Sequence, residues 1–117
     1  MKKFNRVFVP HPNFRFGTDN LRDLAKEIVY VCETPMFDDL MGDEHSTKFE
    51  GKINETMSNF NPDLDVVADY GDAIIFAMMI FYLSERFEGF PVARFSNKRN
   101  EYVVREISTD QFLVESK

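Results

Sequence analysis

The chain lacks several features that define common classes of protein. Its 117 residues include no tryptophan and a single cysteine, Cys32, which excludes an internal disulfide and a metal site built from several cysteines. The longest apolar run, residues 73–83, has eleven residues, whereas a membrane-spanning helix needs about 20. The start of the chain carries no apolar stretch of signal-peptide length. We therefore expect a cytoplasmic protein without a membrane partner.

Basic residues are in the minority, and the acidic residues concentrate in the middle of the chain. The 14 lysines and arginines against 20 aspartates and glutamates give a net charge of −6. Residues 28–85 alone hold twelve acidic and two basic residues, a net charge of −10. Nucleic-acid affinity comes largely from neutralising phosphates, so this balance argues against general nucleic-acid binding. It favours an acidic surface that meets a basic protein partner.

The clearest structural signal is the stretch from residue 64 to residue 88. A short Val-rich run at residues 64–68 predicts a buried strand, and a turn follows at residues 70–72. Asp72 is placed to cap the apolar helix that begins at Ala73. A helix that is apolar on all sides must be covered on more than one side. We expect a sheet on one side and, on the other, neighbouring helices or a homodimer interface through Met78, Met79, Phe81 and Tyr82.

The remaining pattern completes an α/β chain. Further strands are predicted at residues 5–10, 28–32, 91–95 and 101–107. A short helix is predicted after Thr18, and residues 33–45 are predicted to form a loop. A longer helix is predicted from Thr47, which forms a capping box with Glu50.

This order, βαβαβα plus a C-terminal antiparallel hairpin, predicts a single-domain three-layer sandwich over residues 1–117. We expect a Rossmann-like fold with a mostly parallel sheet of about five strands. The first and third strands should lie inside the sheet, and residues 108–117 should form a frayed tail.

The candidate site lies where the predicted parallel strands end, because open parallel sheets bind ligands beyond their carboxyl ends. That edge would hold seven candidate ligand-binding residues, which are His11, Asn13, Thr34, Asp69, Tyr70, Gly71 and Asp72. They suit a base, a ribose or a small polar ligand. They do not suit a phosphate, because two carboxylates and no lysine flank the helix start.

Each candidate also has a simpler structural interpretation. Asp72 is first a helix cap, Gly71 permits a tight turn, and Cys32 is a small core residue. The acidic residues at 38–45 match no metal-binding spacing, and no glycine-rich phosphate loop is present. We therefore expect no catalytic residues, no metal and no cofactor.

Several short motifs carry a resemblance. Phe60, Pro62 and Asp65 form an F-x-P-x-x-D approach to the third strand, Gly71 and Asp72 end it, and Phe95 precedes the hairpin turn. With these features, residues 5–107 resemble a group of small, functionally uncharacterised proteins of tailed bacteriophages. Ala73 stands where that group often has proline. The resemblance implies a phage accessory protein in the cytoplasm of an infected host, and it implies no activity.

Three functional hypotheses remain open at this point. The first is a non-enzymatic accessory protein that binds a host protein or itself through an acidic face, an apolar helix or both. The alternative is a nucleotide or signalling-nucleotide binder or hydrolase that uses His11, Asp69, Tyr70 and Asp72. The third is a minor structural component of the virion.

Overall fold

A computed structural model describes residues 3–13, 17–33 and 43–108, with residues 43–49 described as backbone only. The strands are β1 (Phe4–Val9), β2 (Ala25–Tyr30), β3 (Asp65–Ala68), β4 (Gly89–Ser96) and β5 (Glu101–Ser108). The helices are α1 (Asp19–Leu24), α2 (Asp43–Met57) and α3 (Ala73–Arg86). The predicted α/β class is confirmed.

The five strands form one mixed sheet in the order β2-β1-β3-β4-β5. All neighbouring pairs are parallel except β4 and β5, which form the predicted antiparallel hairpin. As predicted, the first and third strands are inside the sheet. The fold is Rossmann-like.

Helices cover both faces of the sheet, so the molecule has three layers. Successive strand residues point to opposite faces. Phe8 of β1 packs in a core cluster that contains residues of α2 and α3. Its neighbours Val7 and Val9 pack with Leu21 of α1 on the other face. The larger core therefore lies under α2 and α3, and among the described elements the six-residue helix α1 covers the opposite face.

Most strand boundaries lie within two residues of the sequence-based expectations, and the two larger differences are the starts of α2 and β2. Helix α2 begins at Asp43, so Thr47 lies inside it and the capping-box pattern marks no boundary. Strand β2 begins at Ala25, directly after α1, because it pairs with β1 from Phe4 onward. Ser108 ends β5, and the predicted frayed tail lies otherwise outside the described residues.

A buried ion pair closes the amino edge of the sheet. Asp65 is 1% exposed, and it accepts hydrogen bonds from Arg6 Nη2 at 2.8 Å and from the Asn61 amide at 2.9 Å. Beside it, the ring of Phe60 meets that of Phe8 edge-on, with centroids 5.4 Å apart. The F-x-P-x-x-D motif therefore has a structural role, which is to fix the approach of the chain to β3.

Candidate functional site

The carboxyl ends of β1 and β3 meet where the strand order reverses. From β1 the chain continues to β2 on one side, and from β3 it continues to β4 on the other. Ligands of open α/β sheets bind in the crevice outside such a reversal. His11 and residues 69–72 follow these two strands and lie at this edge, as predicted.

The side chain of His11 fills the crevice. It is 5% exposed, its Nε2 lies 2.9 Å from the Asp72 amide nitrogen, and its Nδ1 lies 2.7 Å from the Pro12 carbonyl oxygen. The Asp72 amide can only donate, so Nε2 accepts and Nδ1 carries the proton that is donated to Pro12. The Nε2 bond thus joins the end of β1 to the start of α3, and the Nδ1 bond holds the ring within the loop that follows β1.

Gly71 permits this close approach. Its φ of +108° lies in a region that L-residues with a side chain rarely adopt. A Cβ atom at this position would lie 2.6 Å from His11 Nε2. Gly71 therefore makes room for a side chain of the protein itself as well as permitting the turn.

Asp72 caps α3, as predicted. Its Oδ1 accepts hydrogen bonds from the amides of Ile74 at 2.8 Å and Ile75 at 3.1 Å. The carboxylate therefore occupies the positive end of the helix dipole, which is the position where a phosphate group binds in many α/β proteins.

Tyr70 and Asn13 are also brought together. The Tyr70 hydroxyl donates to the Asn13 carbonyl oxygen at 3.0 Å. Burial raises the pKa of Tyr70, nearby Tyr30 raises it further, and the hydrogen bond to Asn13 opposes this. Thr34, the remaining candidate beyond β2, lies outside the described residues. Five of the predicted site residues therefore hold the edge of the sheet together.

Asp69 follows β3 with its side chain exposed, and it lines a pocket on the α1 side of the same edge. The pocket, of about 460 Å³, lies between the end of β3 and the β4–β5 hairpin, and Tyr70 and Gly71 also line it. We call it the hairpin pocket; its other lining residues with polar or aromatic side chains are Asn20, Arg94, Phe95, Asn97 and Tyr102.

Two aromatic rings from the hairpin form one wall of the hairpin pocket. Phe95 and Tyr102 pair across the strands, and their rings meet edge-on at 5.4 Å. The Tyr102 hydroxyl donates to the Asp69 carbonyl oxygen at 3.3 Å. Burial, and then the charge of Asp69, raise the pKa of Tyr102 well above its ordinary value. Sequence reasoning did not assign this site, although an aromatic residue on each side of a hairpin turn was a visible signal.

The outer side of α3 is a second surface of interest. Phe81 is 71% exposed and Ile74 is 45% exposed. Ala77 is exposed between them and Met78 is half-buried. We call these four residues the α3 patch. The expectation that this helix is covered on more than one side is met only in part, because α2 and the sheet leave the α3 patch uncovered.

Two of the predicted dimer-interface residues are not at the surface. Met79 is fully buried in the core cluster beneath α3. Tyr82 is buried too, and the guanidinium carbon of Arg86 lies 3.7 Å from the centre of its ring. Of the four candidates, Phe81 and Met78 remain available to a partner.

A groove runs between α2 and α3 beside the α3 patch. Its volume is about 400 Å³, and its lining includes Ile53, Met78 and Phe81 together with the carboxylates of Glu50 and Glu85. Asn54 and Arg86 line it as well, so apolar side chains lie beside two carboxylates and one guanidinium group.

The acidic middle of the chain is less uniform than its composition indicates. Asp65 is neutralised by Arg6, and Asp72 is used as a helix cap. Glu33 lies 3.3 Å from Lys52 in an exposed ion pair. Among the residues that the structure describes, Glu50 and Glu85 are the acids that face the α2–α3 groove.

Cys32 is a core residue, as predicted. It is 1% exposed, and burial raises the pKa of its thiol to about 11. A thiol that stays protonated is a poor nucleophile and a poor metal ligand. No group of three or more His, Cys, Asp or Glu side chains capable of holding a metal occurs within the described part of the chain.

Comparison with protein-family models, with curated proteins and with solved structures found no significant match to this chain. Across the described segments, no helix is both long enough and apolar enough to span a membrane.

Proposed function

We propose that the protein is a non-enzymatic accessory protein that binds another protein at the α3 patch and the adjoining α2–α3 groove. The observation that carries this proposal is the 71% exposure of Phe81 on a helix whose other side is core. The solvent side of a surface helix normally carries polar or charged residues, so a large exposed aromatic side chain there is unusual. Burying Phe81 in an interface would gain about 1.5–3 kcal/mol from its apolar surface alone.

The charge of the groove indicates the chemistry of the partner. Glu50, Glu85 and Arg86 line the groove, so its charged lining carries one net negative charge. Glu85 lies 3.8 Å from Arg86 in a weak exposed pair, and Glu50 forms no ion pair with a described residue. Carboxylates beside an apolar floor complement a segment that carries apolar anchors flanked by lysine or arginine. We therefore propose a basic, amphipathic segment of a partner protein, laid into the groove as a helix.

The resemblance of residues 5–107 to tailed-phage proteins supports a bacterial host as the organism that supplies the partner. We propose that the protein acts in the cytoplasm of an infected bacterium and that the partner is a host protein. Proteins that bind nucleic acid often carry lysines and arginines clustered on one face or along a helix. Occupying such a segment would block the partner's own nucleic-acid contacts.

The test is capture from host lysate followed by reconstitution. Proteins retained by the tagged wild type are identified by mass spectrometry, and the purified candidate is titrated against the protein by calorimetry. We expect Phe81→Ser to weaken binding at least tenfold, as loss of a central aromatic anchor does. High salt should also weaken binding, because the carboxylates of the groove contribute to it.

The matched control is Leu64→Ser, which removes an equally apolar residue that is 47% exposed but lies next to β3 at the opposite edge of the sheet. Equal binding by wild type and Phe81→Ser would refute the α3 patch as the binding surface. Light scattering that shows a dimer, lost in Phe81→Ser, would assign the α3 patch to self-association instead. Recovery at fixed copy number in purified phage particles would favour a virion component.

A further inference from the structure

The hairpin pocket stands apart from the α3 patch and is not explained by protein binding. It opens on the α1 side of the sheet, whereas the α3 patch lies on the opposite face. Its volume of about 460 Å³ is in the range of small-molecule sites. It also lies at the carboxyl edge of the parallel strands, where the usual crevice is already filled by His11.

The lining of the hairpin pocket has three kinds of chemistry. Phe95 and Tyr102 are half-buried, so part of each ring is open to the pocket and can contact a flat aromatic group. Asn20 and Asn97 supply amides that both donate and accept hydrogen bonds. Aromatic surface beside amide groups is the combination that recognises a nucleobase.

The two charged side chains complete the match to a nucleotide. Asp69 is exposed at the pocket, and a carboxylate at this position can accept hydrogen bonds from the hydroxyl groups of a ribose. Arg94 lines the same pocket and also the pocket on the other face of the hairpin, so it lies at the boundary between the two. It forms no ion pair with any described residue. A guanidinium group binds phosphate through two parallel hydrogen bonds.

The phosphate is placed at Arg94 because the other candidate position, the start of α3, is already occupied. The start of α3 cannot take an anion, because the Asp72 carboxylate already occupies it and His11 closes the space beside it. Within the pocket the single charge of Arg94 is opposed by that of Asp69. This balance suits one phosphate group better than three.

We propose that the hairpin pocket binds a ribonucleoside monophosphate, with the base against Phe95 and Tyr102, the ribose at Asp69 and the phosphate at Arg94. This inference is independent of the proposed protein partner. The proposed site shares Asp69 and Tyr70 with the nucleotide site predicted from the sequence, whereas His11 and Asp72 of that prediction are committed to internal hydrogen bonds.

The experiment is a titration of the isotope-labelled full chain with AMP, GMP, CMP and UMP, followed by NMR. At least one should give saturable shifts of the backbone amides of Asp69, Phe95 and Tyr102 with a Kd below about 1 mM. The same base as a nucleoside should bind at least tenfold more weakly, and ribose 5-phosphate should bind weakly too. The triphosphate should bind no better than the monophosphate.

Variants separate the roles of the pocket residues. Arg94→Gln should weaken the monophosphate about tenfold and leave the nucleoside unchanged. Asp69→Asn should reduce the preference for the ribonucleotide over its 2′-deoxy form. Lys98→Gln is the matched control, because Lys98 is a cation of the same hairpin that does not line this pocket.

Two results would overturn the proposal. One is the absence of saturable binding by all four monophosphates to a folded wild type. The other is equal loss of affinity in Arg94→Gln and Lys98→Gln, which would show non-specific attraction to a basic hairpin. Phe81→Ser should bind the nucleotide normally, so failure of either proposal can be recognised without the other.

Discussion

His11 and Asp72 are separated by 61 positions in the chain, yet the Asp72 amide donates to His11 Nε2 at 2.9 Å. The side chain of Asp72 caps the first turn of α3 at the same time. The start of α3 is therefore held from two directions, by its own cap and by the end of β1. This bond closes the crevice in which α/β proteins of this topology usually hold ligands.

Replacing His11 should destabilise the fold. His11→Ala leaves the Asp72 amide and the Pro12 carbonyl without their partner and opens space in a buried site. We expect the free energy of unfolding to fall by about 2–3 kcal/mol. Urea unfolding followed by circular dichroism measures this. His11→Gln, which retains an acceptor, should lose less, and a His11→Ala protein as stable as wild type would show that the bond contributes nothing.

Gly71 should be among the least replaceable glycines of the described chain. Gly71→Ala adds a Cβ atom 2.6 Å from His11 Nε2 at a φ of +108°. We expect a loss of at least about 2 kcal/mol in the free energy of unfolding. Gly51→Ala is the matched control, because Gly51 lies in α2 and an added Cβ meets nothing within 4 Å. That change should be neutral or stabilise by about 0.5–1 kcal/mol.

The two sites should also be coupled. In a His11→Ala background the ring that the new Cβ meets is gone, so Gly71→Ala should cost less than in the wild type. The difference isolates the steric part of the effect from the backbone strain, which persists in both backgrounds. Strictly additive effects would place the whole cost in the backbone conformation of residue 71.

The sequence predicted the parts of this edge that depend on local signals. The strand–turn–helix of residues 64–86 and the Asp72 cap were readable because their determinants are within a few positions of one another. The contact of His11 with Asp72 was not readable, since no local pattern specifies a pair of residues so far apart. The same holds for Tyr102, whose position beside Asp69 depends on how the hairpin joins the sheet.

The predicted start of α2 was wrong for a related reason. Thr47 and Glu50 form a capping pattern, yet α2 starts four residues earlier, at Asp43. The apolar composition of α3 predicted coverage by the sheet and by neighbouring helices or a second copy of the chain. The sheet and α2 cover the helix in part, and Phe81 is 71% exposed in the single chain. The sequence shows that a side chain is apolar, but the packing of helices and strands against one another decides whether that side chain is buried.

The ion pair of Arg6 with Asp65 should be essential to the other edge of the sheet. Asp65 is 1% exposed, so Arg6→Met leaves its carboxylate buried without a positive partner among the described residues. The Asn61 amide would still donate a hydrogen bond to it. Removing one partner of a fully buried pair costs about 3–5 kcal/mol. The Arg6 side chain is 31% exposed, so water reaches part of the pair and we expect a smaller loss of about 2–3 kcal/mol. Lys52→Met is the control, because its pair with Glu33 is exposed and should contribute less than about 1 kcal/mol. Equal effects of the two substitutions on urea unfolding would contradict this assignment.

Cys32 should make stability sensitive to alkaline pH. Burial is the main cause that raises the pKa of its thiol from 9.0 to about 11, and Lys52 partly opposes it. Below pH 9 the folded and unfolded chains both keep the proton, so the stabilising contribution of the thiol is complete. Between pH 9 and pH 11 the thiol ionises in the unfolded chain but stays mostly protonated in the folded one. The free energy of unfolding therefore falls progressively over this range, by an amount on the order of 2 kcal/mol.

The comparison that isolates this effect is Cys32→Val, measured by urea unfolding at several pH values between 7 and 11. Tyr70 and Tyr102, whose pKa values are also raised, lower the stability of both proteins at high pH and cancel in the difference. The variant should therefore gain stability relative to wild type as the pH rises above 9. A difference that stays constant over this range would mean that the thiol is no harder to ionise in the folded chain than in the unfolded one, and the buried position of Cys32 would then have to be open to water.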